Sequence, residues 1–90
     1  MNNQIHPQYK SDRIRTDRLI SLNNKLSKSQ LVEIATLAMR YSKFNGAEDI
    51  KEDLNKIMKK YGYNENSLYE ETRNLWLSGF RPDQELNENI

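Results

Sequence analysis

Ninety residues make one domain at most, and a chain this short buries a smaller share of its surface than a long one, so its core is thin. Its 14 basic and 13 acidic side chains leave a net charge of +1, and apolar residues, at 36%, fall below the usual globular share. The lack of cysteine excludes disulfides and thiolate metal sites, a single histidine, His6, removes most metal chemistry, and no apolar run approaches the ~20 residues of a membrane span. The chain therefore reads as cytoplasmic.

Residues 1–10 read as a flexible N-terminal arm, residues 11–80 as a helical domain, and residues 81–90 as a flexible tail in which Pro82 stops a helix and only Leu86 and Ile90 are apolar. The first helix is expected over "SDRIRTDRLISLNN", Ser11 to Asn24, with Ile14, Leu19, Leu22 and Leu26 roughly on one side and Ile20 off it. The next start signal is cleaner. Ser27 and Gln30 have the spacing of a capping box, in which each side chain satisfies an otherwise unpaired amide, and Leu26 and Leu31 stand at the two positions of a hydrophobic staple around it. A second helix should run from Lys28 to Phe44, with Leu31, Ile34, Ala35, Ala38 and Tyr41 at helical spacing.

Ala47, Ile50, Leu54, Ile57, Met58 and Tyr61 then mark one narrow apolar face, the strongest periodicity in the chain. Glu48 and Asp49 in its first turn and Lys59 and Lys60 in its last complement the helix dipole, and Gly62 supplies a stop with Tyr63 placed to pack back on Met58. Asn64 is positioned to cap a fourth helix, stapled by Tyr63 and Leu68, whose inner side is Leu68, Thr72, Leu75, Trp76 and Gly79 while Tyr69 faces away. Gly79 repeats the stop seen at Gly62. No strand is expected. The fold class is all-α, a small bundle of three to four short helices in which short connections turn neighbours back on one another.

Catalysis is poorly supplied by these residues. His6 lies in the expected arm, the serines lack a paired base, and there is neither a Gly-rich phosphate loop nor a metalloprotease motif. The carboxylates of "EDIKED" spread around a helix beside Lys51 and Lys56. The chain reads as a non-enzyme that needs no cofactor and no metal.

Charge is uneven along the sequence: Lys10, Arg13, Arg15, Arg18, Lys25 and Lys28 outnumber Asp12 and Asp17 at the front, and acidic residues dominate after Tyr63. Such asymmetry guides association. Aromatic residues are numerous for so thin a core, and with arginine they are enriched where proteins bind proteins. The expected partner-binding surface is the corner of Arg40, Tyr41, Lys43 and Phe44, supported by the strip of Arg13, Arg15 and Arg18, and the expected partner is a protein. The alternative is a nucleic-acid-binding module using the same strip. Against it, the helix after Gly62 would enter the groove carrying Glu65, Glu70 and Glu71, and Met58 fills a position that helix-turn-helix motifs keep small.

The motifs "HPQ" at His6 to Gln8, Asp17-Arg18, "RY" at Arg40-Tyr41, Phe44, "GA" at Gly46-Ala47, "DI" at Asp49-Ile50, "DL" at Asp53-Leu54, Gly62, Leu68 and "TR" at Thr72-Arg73 resemble a family of short cyanobacterial proteins of unknown function. The similarity spans about residues 4 to 75. It implies a fold-sized unit and a cyanobacterial source, with no activity, ligand or partner attached. Arg18, Arg40, Asp49, Asp53 and Arg73 lie within or beside these motifs, and they are expected to form ion pairs across the bundle. A bridge buried at the corner would serve specificity as well as stability.

Overall fold

A computed structural model of the chain describes residues 5–81. They form α1 (Tyr9–Ile20), α2 (Lys28–Ser42), α3 (Glu48–Lys60) and α4 (Glu65–Leu77), with no strand among the described residues. No helix is long and apolar enough to cross a membrane. The start and stop chemistry sets most of these limits. Ser27 accepts a hydrogen bond from the Gln30 amide at 3.1 Å while the Gln30 side chain accepts one from the Ser27 amide at 2.9 Å, closing the capping box at α2. Asn64 and Ser67 form the same reciprocal pair at α4. At the end of α3 the Tyr63 amide donates to the Met58 carbonyl and the Gly62 amide to that of Lys59, a Schellman motif. Gly62 has φ +81°, and a Cβ there would meet nothing within 4 Å, so backbone conformation rather than space calls for glycine.

The central helix is α2, which buries Leu31, Val32, Ile34, Ala35, Leu37, Ala38 and Tyr41 and packs against the other three. Its regular part ends at Ser42 rather than Phe44. The narrow face of α3 buries Ile50, Leu54, Ile57 and Met58 as the spacing predicts. Consecutive helices are not the principal pairs, however. α1 lies chiefly on α3 and α4 chiefly on α2. The long connection after α1 permits this crossing, and the C-terminal end of α3 holds it: Tyr61 donates to the Asn24 carbonyl at 2.8 Å, and the Lys60 ammonium donates to the Leu22 carbonyl.

Two helices turn differently from their sequence patterns. In α1 the buried residues are Asp12, Thr16 and Leu19, and Ile14 is 59% exposed. A carboxylate with partners on α2 takes the inner stripe that Ile14 was expected to occupy. In α4 only Leu68 and Thr72 are buried, Trp76 and Gly79 lie outside, and Tyr69 is half-buried against the core instead of facing away. Thr16 and Thr72 both donate to the carbonyl four residues earlier, at 2.8 Å, so neither hydroxyl is buried unsatisfied. Tyr9 and Lys10 belong to α1, which starts before Ser11, and the part of the expected arm and tail at residues 1–4 and 82–90 lies outside the described residues.

Ala47, which opens α3, has φ 54° and ψ 44° and is the one non-glycine residue with positive φ among those described. A left-handed L-residue costs about 1–2 kcal/mol, of which glycine's greater freedom in the unfolded chain takes back part. Ala47→Gly is accordingly expected to raise stability by ~0.5–1 kcal/mol, read as a higher urea midpoint with an unchanged slope. A fall would mean that the packing of the Ala47 methyl against the core outweighs the strain.

Candidate functional site

The corner after α2 is built around a buried carboxylate. Asp12 is 1% exposed and receives the Arg40 Nη1 at 2.6 and 2.7 Å and the Tyr41 hydroxyl at 2.7 Å. Each partner satisfies the next, which is the condition for a buried polar network to be tolerated. The Tyr41 ring meets the Phe44 ring edge-on at 5.7 Å, and the His6 ring lies 5.1 Å from each. His6 Nδ1 accepts the Gln8 amide at 3.1 Å, a local bond that holds the imidazole, and the two ring contacts tie the segment before α1 to the corner it covers.

Burial, and then the hydrogen bond to Asp12, push the Tyr41 phenol well above its ordinary value. Because the folded state holds this proton more tightly than the unfolded chain, the linked stability is fully present below pH ~10 and is lost as pH rises beyond it. In an alkaline titration followed by phenolate absorbance, Tyr41 should ionise only as helicity is lost, and Tyr41→Phe should reduce the late component by one phenol, the other late phenols being Tyr9, Tyr63 and Tyr69, whose hydrogen bonds or burial also raise them. Phenolate formation at Tyr41 in its ordinary range, with helical circular dichroism intact, would contradict the assignment.

A second cluster joins α1 to α3. Arg13 donates to Asp17 at 2.7 and 3.1 Å, to Asp53 at 2.5 Å and to Asp49 at 3.0 Å, and Tyr9 donates to Asp49 at 2.6 Å. The Tyr9 hydrogen bond, followed by the contact with Arg13, holds the Asp49 carboxyl below the usual carboxylate range. Burial opposes the charge on Arg13, but the three carboxylates together outweigh it and raise its pKa. Within the run, Glu48 lies near Lys51 at 3.6 Å and Asp53, besides serving Arg13, lies near Lys56 at 3.8 Å, the two lysine pairings that the sequence suggests, whereas Asp49 and Asp53 turn to α1 instead of spreading into solvent.

Between α1 and α2 on the outer side lies a groove of about 410 Å³ lined by Arg15, Arg18, Ser29, Val32, Glu33, Thr36, Leu37 and Arg40. Arg15 reaches Glu33 at 3.4 Å. Arg18 is exposed and makes no ion pair among the described residues. Arg40, which spends one nitrogen, Nη1, on Asp12, is also a lining residue of the groove. Val32 is buried beneath this surface yet stands apart from the main core cluster.

The residues expected to form one surface are thus distributed over three environments. Arg13 is consumed by α3, so the strip of Arg13, Arg15 and Arg18 is not continuous. Arg15, Arg18 and Arg40 meet in the groove. Tyr41 is 1% exposed and offers no ring to a partner, Phe44 is half-buried beside it, and Lys43 is exposed. Of the charges expected to pair across the bundle, Arg40, Asp49 and Asp53 do so, whereas Arg18 and Arg73 make no ion pair among the described residues. Asp12 and Val32 were missed as parts of this region. The signal for Asp12 was its spacing: it stands four and seven residues before Thr16 and Leu19, on the face that is buried.

These features define a class: a small all-α bundle in which buried and half-buried ion pairs fix helix against helix and a separate arginine-lined groove faces outward. Among the described residues no group of three or more metal-ligating side chains is assembled. The chain belongs to the family described as "Protein of unknown function (DUF3288)", whose match spans residues 3–89. No curated protein and no solved structure matches it.

Proposed function

We propose that this protein is a non-enzymatic module that docks a protein partner through the groove between α1 and α2. The observation that carries the reading is the coexistence, at one groove, of an Arg18 guanidinium with no ion pair among the described residues and two Arg40 nitrogens not spent on Asp12 with the exposed apolar side chains of Ile14 and Met39 on its flanks. Met39, 60% exposed, lies one turn beyond Thr36 on the same side of α2. Arginine and methionine are enriched in protein interfaces. Lys43 extends this edge of α2, and the rings of Tyr41 and Phe44 stiffen it from behind. The setting in this reading is a cyanobacterium, on the strength of the motif resemblance, and its cytoplasm by default, as no apolar run approaches a membrane span.

Nucleic-acid binding by the basic strip is the weaker reading, because Arg13 is neutralised by three carboxylates and Glu33 stands within the groove. Phosphate binding needs several uncompensated cations in a row. A photo-crosslinking side chain placed at Met39 in cells of the native host tests the choice, with Glu70 on α4 as the control position. The expected result is a protein adduct at Met39, absent at Glu70 and unchanged by nuclease. Equal labelling at both positions, or loss of the adduct on nuclease treatment, would remove the reading.

A further inference from the structure

Resting on that reading, we infer that the occupant of the α1–α2 groove is an acidic peptide segment of the partner, carrying carboxylates spaced around at least one apolar side chain. The uncompensated charge of the groove is positive. Arg15, Arg18 and Arg40 line it; Glu33 engages Arg15 at 3.4 Å and Asp12 engages Arg40, which leaves Arg18 without an ion pair among the described residues, while Asp17, Asp49 and Asp53 are directed to Arg13. Asp12 lies beneath and contacts Arg40 Nη1, leaving Nε and Nη2 with no hydrogen bond to a described residue. Those two nitrogens and the whole Arg18 guanidinium are planar donor sets, which suit a carboxylate approached edge-on.

The apolar requirement has its own basis. Val32 and Leu37 close the floor but are themselves buried, so the apolar surface open to a ligand is the arginine stems and the flanks. On the flanks stand two of the large exposed apolar side chains of the molecule: Ile14, 59% exposed and one turn before Arg18 on α1, and Met39 on α2. A ligand bearing charge alone would leave this surface wet. Arg40 is further held by its contact with Asp12, so its free nitrogens are oriented before any ligand arrives.

The test uses the full chain and a fluorescent peptide of repeated Glu-Glu-Leu triplets, with Gln-Gln-Leu and Glu-Glu-Ser peptides and a single-stranded oligonucleotide as further probes. Saturable binding of the Glu-Glu-Leu peptide is expected, weakened about tenfold or more by Arg18→Glu and weakened several-fold by Met39→Ser. Both residues are exposed and neither change disturbs a described ion pair, so both variants should fold like the parent. The Glu-Glu-Ser peptide should bind less well than Glu-Glu-Leu, and raised salt should weaken binding. Equal binding of the Gln-Gln-Leu peptide, tighter binding of the oligonucleotide, or concentration-dependent self-association abolished by Arg18→Glu would each overturn the proposal, the last by making a second copy the occupant. A protein adduct at Met39 without acidic-peptide binding would overturn this inference alone, whereas loss of the adduct removes the docking reading itself.

Discussion

Asp12→Ala is expected to cost about 3–5 kcal/mol of folding stability, because it leaves Arg40 without its partner in a half-buried position and strips the Tyr41 hydroxyl of its acceptor. Folded domains are typically stable by only ~5–15 kcal/mol, and one this small belongs at the low end. The variant should therefore lose a large part of its urea midpoint, or fail to fold at physiological temperature, by helical circular dichroism. Removing both charges together separates the cost of an orphaned arginine from the net worth of the pair. Asp12→Leu combined with Arg40→Met and Tyr41→Phe should be much milder than Asp12→Ala alone, since a buried ion pair and its hydroxyl partner replaced by apolar groups of similar volume are often close to neutral. An Asp12→Ala loss under about 1 kcal/mol would show that Arg40 finds solvent or another acceptor, and would remove the network as an organising feature of the corner.

The second large effect is expected at Leu68, which is 0% exposed and, apart from Thr72, is the sole buried residue of α4. Truncating a fully buried leucine costs ~2–5 kcal/mol, depending on how far its surroundings collapse into the space. Here the loss should be local as well as global. α4 packs chiefly on α2, with Leu75 and Tyr69 as half-buried supports, so Leu68→Ala removes most of what holds it. Amide hydrogen exchange should accelerate across Glu65–Leu77 more than across α2 or α3. Uniform acceleration in all four helices would mean that α4 unfolds only with the whole domain.

Local physics made much of the architecture legible from the chain. The capping boxes at Ser27 and Asn64 and the stop at Gly62 depend on residues within a few positions of each other, and they form as their spacing implies. The narrow face of α3 was equally plain, because a helix packed on one side needs just one stripe. The faces of α1 and α4 were less so. Hydrophobic pattern assumes that the inner stripe is apolar, and in α1 it is Asp12, Thr16 and Leu19, acceptable only because Arg40 and Tyr41, far along the chain, satisfy the carboxylate. Ile14 is displaced to the surface by that arrangement and not by any property of its own neighbours.

The same division runs through the candidate site. Arg13, Arg15 and Arg18 look alike in sequence, yet one side of α1 faces the carboxylates of α3 and the other faces α2. Rings at Tyr41 and Phe44 mark the corner in the sequence, but whether a ring is offered or enclosed depends on what covers it, and His6 helps to cover both. By itself the sequence determined the all-α class, the helices and those of their ends marked by a capping box or a glycine stop, since capping, periodicity and glycine stops act over a few residues; α1, which lacks a side-chain cap, runs over Tyr9–Ile20 instead of Ser11 to Asn24. The crossing of α1 onto α3, the burial of Asp12 and the separation of Arg13 from the groove arginines were decided only in the tertiary structure. Each is a contact between residues remote in the chain, and a charged side chain's environment depends on which helix faces it.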